Sequence, residues 1–177
     1  WNALAGANPF TQHHFLQLLQ ETACAAPNTG WTPCHVLLRE QGVLQGAVAA
    51  YLKTHSRGEF VFDQAWAQAY QQHGLDYYPK LVVSVPFTPV AGPRLLASKP
   101  AHQALLIQAL MALAQQAQAS SIHVLFPAEQ DLAALQEAGF MVREAVQFHW
   151  RNANYADMDA FLATMAQEKR KKFKQDR

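Results

Sequence analysis

The sequence predicts an α+β domain in which a mixed β-sheet is covered by helices on both faces. Three observations predict it. Short runs of alternating apolar residues recur along the chain, at residues 34–40, 43–53, 79–85, 121–126 and 140–150. Stretches with helical periodicity separate most of them, the strongest spanning about 101–118. The resulting order is helix, hairpin, helix, strand, helix, strand, helix, strand, which suits two layers of helix around one sheet.

Asn8-Pro9 is a helix start, with asparagine as the cap and proline at the first helical position. Phe15, Leu18, Leu19 and Thr22 then fall on one stripe. After the break at Asn28, Gly30 and Pro33, the residues Cys34, Val36 and Leu38 alternate along a strand. Gln41-Gly42 turns the chain, and Val43 to Lys53 returns as the second strand of a hairpin, with a helix as the alternative that propensity alone allows in this alanine-rich segment. Asp63 caps a short helix carrying Trp66 and Tyr70, which Gly74 ends. Tyr78 to Val85 is a strand stopped by Pro86, and a proline-punctuated loop runs on to Lys99. The long helix follows, with Leu105, Leu106, Ala109, Leu110 and Leu113 as its apolar stripe. Ile122–Phe126 reads as a buried strand and Asp131–Ala138 as a helix closed by Gly139. The last strand alternates Phe140, Val142, Val146, Phe148 and Trp150, with Glu144 the polar exception.

Composition narrows the class. Half of the 177 residues are hydrophobic and 15% are charged, the balance of a folded chain with a real core. The longest apolar runs, Ala47–Leu52 and Ala109–Ala114, are far too short to span a bilayer, and no basic-then-apolar leader opens the chain. Cys24 and Cys34 make neither a metal spacing nor a disulfide framework, and read as small buried hydrophobes in a reducing, cytoplasmic compartment. Six of the fourteen basic residues lie in 169–177, leaving the first 168 residues with eight basic and twelve acidic groups. A nucleic-acid contact is therefore confined to the tail.

The densest polar cluster is Lys53, His55, Arg57, Glu59 and Asp63, beside Trp66, Tyr77, Tyr78 and Lys80 in sequence. Histidine with a carboxylate can act as general base toward an attacking amine, so His55 and Glu59 are the candidate catalytic pair. Lys53, Asp63, Tyr78 and Lys80 are candidate substrate-binding groups, joined by Thr88 and Arg94 from the proline-rich loop. The alternative is structural: Asp63 only caps its helix, Lys53 and Glu59 form a solvated pair, Thr88 makes a local turn bond, and Arg94 anchors its loop. His123 and His149 sit within strand patterns and lack partners at metal spacing, so no metal site is expected. Nucleophile elbow, Walker loop and dinucleotide fingerprint are all lacking.

Nine segments carry a family resemblance in order: Asn8–Phe10, Thr29–Pro33, Tyr51–Ser56, Gly58–Asp63, Tyr77–Leu81, Pro86–Leu96, His123–Pro127, Gln147–Trp150 and Lys169–Lys171. Together they resemble the bacterial FemAB-like branch of the GNAT N-acyltransferases, labelled peptidoglycan biosynthesis/recognition. The resemblance implies a GNAT-like fold with a V-shaped splay between central strands, residues 1–168 forming a first domain, and 169–177 starting a connection to a second. It implies an acyl- or aminoacyl-transferase acting on an amine such as that of a peptidoglycan precursor, with acyl-CoA or aminoacyl-tRNA as candidate donor. The alternatives are a non-catalytic recognition domain, or a tRNA contact through the basic tail. In GNAT folds a loop leading into a helix holds the CoA pyrophosphate on free backbone N–H groups. Here the glycine-rich pattern is missing and Pro89, Pro93 and Pro100 each remove a donor, so residues 1–177 alone are expected to bind acetyl-CoA weakly or not at all.

Overall fold

A computed structural model describes residues 1–176. The described chain divides into two compact units, one of residues 1–142 and one that begins at residue 143.

The first unit contains every strand assigned to a sheet. Strands β1 (Trp31–Pro33), β4 (Ala50–Lys53), β5 (Lys80–Val83) and β7 (Ile122–Val124) form one sheet in the order β1-β4-β5-β7. Strands β2 (Val36–Glu40), β3 (Val43–Val48) and β6 (Leu96–Ala97) form a second, in the order β2-β3-β6. Among the described strands β5 and β7 pair in parallel and the other pairs are antiparallel; an isolated parallel bridge joins Gly92 and Pro127. The expected strand over 43–53 is continuous in sequence but breaks at Ala49, so that its two halves belong to different sheets. The loop expected between Pro86 and Lys99 contains the short β6, which pairs with β3.

Helices lie on both faces. Strand alternation sends Val48, Ala50, Leu81 and Val83 to one face, against Leu106, Ile107 and Leu110 of helix α4 (Pro100–Gln116) and Leu135 of helix α5 (Glu129–Glu137). On the other side, Ala47 and Leu96 pack with Ala5 of helix α1 (Asn2–Ala5), and Trp31 and Tyr51 pack with Leu19 of helix α2 (His13–Glu21). The expected stripes need adjustment: α2 buries Leu16 and exposes Leu18, while α4 buries His102, Leu106, Ile107, Leu110 and Ala114 and exposes Leu105. A helix touching neighbours at several angles shifts its buried arc away from the most hydrophobic stripe. Helix α3 (Gln64–Gln72) follows Asp63 and buries none of its residues.

Two further expectations are corrected. Cys24 is exposed rather than buried, and both cysteines are free. Residues 140–150 form no strand; Phe148 is 99% and Val146 82% exposed. Alternation prepares a segment for a sheet, but the backbone groups of a strand need a neighbour, and none of the described strands pairs with this one.

The second unit holds helices α6 (Met158–Ala163) and α7 (Gln167–Gln175), with Asp157 capping α6 by accepting from Ala160 N. Phe161 makes edge contacts with Trp150, Tyr155 and Phe173. No helix of the described residues is long and apolar enough to cross a membrane.

Candidate functional site

Trp31, Lys53 and Lys80 form a row across β1, β4 and β5, each directly opposite the next. Directly opposed residues share a sheet face, so this register places two lysines side by side, both fully buried. Like charges there are tolerable only with compensation, and the loop after β4 supplies it. Gly58, at φ 81°, lets the loop fold tightly beneath the Phe87 ring; a Cβ there would lie 2.6 Å from that ring. The turn carries Glu59 and Asp63 back over the sheet, where both are buried.

Lys80 Nζ donates to Glu59 Oε2 at 2.8 Å, Asp63 Oδ2 at 2.5 Å and Ser56 Oγ at 2.8 Å, one acceptor for each ammonium proton. Asp63 Oδ2 also accepts from Tyr77 Oη at 2.8 Å and Ser56 Oγ at 2.9 Å. Because Ser56 gives its proton to Asp63, its 2.8 Å contact with Tyr78 Oη is a bond donated by the phenol. Lys53 Nζ sits 3.5 Å above the Trp31 ring and donates to Arg57 O at 3.2 Å. Two ammonium groups thus face two carboxylates. One oxygen of each carboxylate, Glu59 Oε1 and Asp63 Oδ1, is buried without a hydrogen-bond partner.

Environment separates these groups. Burial alone would raise the Asp63 carboxyl, but the bonds from Lys80, Tyr77 and Ser56 outweigh it and hold the group below the usual aspartate range. Burial pushes Glu59 up, only partly offset by Lys80. Burial draws the Lys53 amine down to about 8, with Glu59 opposing and Lys80 reinforcing the fall.

The Lys53 shift has a testable consequence. A lysine whose folded value lies below its unfolded value of about 10.4 leaves the unfolded chain holding more protons between those limits. Its contribution to stability therefore rises from about pH 8 to about pH 10.5, by about 3 kcal/mol at ~1.4 kcal/mol per pH unit. Cys34 and Tyr77, whose values are raised by burial, act in the opposite sense at alkaline pH. The difference between the wild-type chain and Lys53→Met isolates the lysine. Denaturant titrations at pH 7 and pH 10 are expected to show the wild-type chain gaining stability relative to the variant as pH rises, and parallel curves would show that Lys53 stays fully protonated.

Beside the network opens a cleft of about 630 Å³. Ser56, Arg57, Asp63, Tyr77 and Tyr78 form one wall, and Gln64, Ala67, Gln68 and Gln71 of α3 form another, with Leu75 and Asp76 beyond. Among the described residues no group of His, Cys, Asp and Glu could hold a metal ion.

Of the residues singled out in the sequence, Lys53, Glu59, Asp63, Tyr78 and Lys80 come together. Asp63 and Tyr78 line the cleft, and Lys80 and Glu59 stand behind Asp63. Asp63 occupies the N-cap position of α3, yet its side chain makes no cap bond because the network holds it. His55 packs its ring over Gly30, where a Cβ would come within 2.3 Å of Nε2, and its Nδ1 accepts from Arg57 N. Burial, Lys53 and Arg57 all lower its pKa. His55 and Glu59 therefore bond to different partners. Thr88 Oγ1 donates to Pro86 O, the local turn bond. Arg94 lies apart from the cleft: Nε donates to Leu125 O at 2.8 Å and Nη2 to Val90 O at 2.5 Å, near the far end of β5 from Lys80. The single cleft expected to contain both Arg94 and the lysine cluster does not form, because the strand that carries Lys80 separates them.

Ser56 and Tyr77 join the network without having been singled out as site residues. Tyr77 precedes β5, which begins at Lys80, so strand alternation does not fix the direction of its side chain.

Fold and site define an α+β domain with a charge-balanced lysine–carboxylate network behind a polar cleft. The chain belongs to the FemAB-like family, whose sequence model, described as peptidoglycan biosynthesis/recognition, matches residues 1–177. No curated protein and no solved structure matches the chain.

Proposed function

We propose that this chain binds the amine-bearing acceptor of an acyl- or aminoacyl-transfer in peptidoglycan metabolism, and that Asp63 receives the amine. The observation that carries this reading is the division of labour within one carboxylate. Asp63 Oδ2 is saturated by Lys80, Tyr77 and Ser56, while Oδ1 is unpartnered in a residue lining the cleft. An ionised carboxylate with one fixed and one free oxygen holds an ammonium group in a single orientation. N-acylation is largely the positioning of an amine beside an activated carbonyl, followed by loss of one proton. Asp63, held below the usual range, orients the amine. Glu59, pushed up and bridged to Asp63 by Lys80, is the group suited to store the proton. The donor in this reading is an activated acyl group carried by CoA or tRNA.

Asp63→Asn tests it. Loss of a charged hydrogen bond to the amine is expected to lower kcat/KM for the amine acceptor about 10- to 100-fold while donor affinity is unchanged. Unaltered transfer kinetics in a folded Asp63→Asn protein would remove Asp63 from the site.

A second reading rests on α7, where Lys169, Lys171, Lys172 and Lys174 are all exposed on one short helix. Such a helix is suited to a tRNA backbone, and binding that weakens steeply between about 50 and 200 mM salt, and is lost when these lysines become glutamine, is the expected result.

A further inference from the structure

The cleft extends past Asp63, and there three glutamines of α3 line it together with Ala67, Leu75 and the charged Arg57 and Asp76. Helix α3 buries none of its residues, so its composition is not dictated by the core. At 100° per residue, Gln64, Gln68 and Gln71 fall on one arc of that helix, and all three line the cleft, with Ala67 between them leaving room for a ligand. Each carries a neutral side-chain amide with both a carbonyl acceptor and N–H donors. A secondary amide of a ligand offers the same two groups in complement. From Gln64 to Gln71 the helix rises about 10 Å, at ~1.5 Å per residue. An extended chain advancing ~3.3 Å per residue covers that distance in about three residues. Leu75, exposed and lining the cleft at the far end, offers an apolar contact there. At the near end stands Asp63, which lines the cleft and whose Oδ1 is buried without a hydrogen-bond partner.

We infer that Gln64, Gln68 and Gln71 form a specificity subsite for a run of neutral secondary amides, about three residues long, attached to the amine that Asp63 receives. The inference rests on the proposed role of Asp63 for the direction of the ligand, but the glutamine contacts stand or fall separately. The same amide chemistry occurs in a short peptide with small side chains and in an N-acetylated sugar.

The test is titration of the whole chain with acetyl-trialanine N-methylamide, with the same peptide ending in lysine amide, and with N-acetylglucosamine, read by the side-chain amide signals of the glutamines in NMR. Both peptides are expected to shift the signals of Gln64, Gln68 and Gln71. Gln68→Leu is expected to weaken both about fivefold, the effect of losing one hydrogen bond of ~1 kcal/mol. Asp63→Asn is expected to weaken only the lysine peptide. Glutamine-dependent binding in which the lysine gives no advantage would retain the subsite and remove the role of Asp63. N-acetylglucosamine shifting these signals would assign the amides to a sugar; shifts from the peptides alone would assign them to a peptide. Binding unaffected by Gln68→Leu, or no shift of these glutamines with any of the three ligands, would overturn the subsite.

Discussion

Replacing Lys80 with methionine is expected to cost the fold about 3–5 kcal/mol at neutral pH, the largest effect of any single substitution at the site. Methionine matches the lysine side chain as far as Cε and omits only the ammonium group, so the loss is mainly electrostatic rather than a cavity. Glu59 and Asp63 would remain buried with no ammonium between them, and Lys53, committed to the Trp31 ring and Arg57 O, is not placed to replace it. The pH dependence provides the signature. In the wild-type chain the depressed Asp63 carboxyl contributes stability that is present above its unfolded value near 3.9 and lost as pH falls through its lower folded value. In Lys80→Met the two carboxylates are expected to titrate upward, so acid relieves their repulsion. The two stability curves should therefore be farthest apart at neutral pH and converge below about pH 4. The triple variant Lys80→Met/Glu59→Gln/Asp63→Asn is expected to recover part of the loss, since it removes the uncompensated charge along with the pair. Denaturant unfolding at pH 7 and pH 4 decides the matter. A loss below about 1 kcal/mol, or one independent of pH, would mean that water reaches the network and screens it.

Why the network was only partly legible in the sequence follows from how it is built. Lys53, Glu59, Asp63 and Lys80 stand out because charged residues cluster around a hairpin end and the following strand. Nothing local to the sequence shows that Lys53 and Lys80 are opposed, since that depends on the register of β4 against β5, fixed by the apolar pattern of Ala50–Leu52 and Leu81–Val83. His55 looked the better base on chemistry alone. Its placement over Gly30 depends on a glycine at φ 73° some 25 residues earlier, which brings the two loops into contact. Periodicity located α2, α3, α4 and α5 and the strands β2, β3, β4, β5 and β7, but neither α1, α6, β1 and β6 nor the partners of the strands. Residues 43–53, expected as one strand, divide at Ala49 between two sheets; the alternation of 140–150 is clear, yet no described strand receives it.

The second large effect is expected away from the cleft, at Asp131. In sequence this residue marks little more than a helix start, yet it is completely buried. Its Oδ2 accepts from the backbone of Arg94 at 2.6 Å and of Leu95 at 3.4 Å, and its Oδ1 accepts from Gln103 Nε2 at 3.2 Å. One carboxylate therefore ties the proline-rich loop to α4 and α5. Arg94 completes the tie: its guanidinium donates to the carbonyls of Leu125, Val90 and Pro93, and burial lowers its pKa to about 10, with Asp131 opposing the shift. Asp131→Ala would leave two backbone N–H groups and a buried guanidinium without their compensating charge. Loss of about 3–5 kcal/mol is expected, with Asp131→Asn milder because its carbonyl oxygen can still accept from the loop. Hydrogen exchange at Arg94 and Leu95 should accelerate in the alanine variant, out of proportion to amides of β4. Arg94→Lys should also destabilise, because one ammonium cannot reach three carbonyls disposed around a planar fork, and it should leave acceptor affinity unchanged in the folded fraction. The reverse result, a stable Arg94→Lys protein with impaired acceptor or donor binding, would return Arg94 to the role of anion clamp.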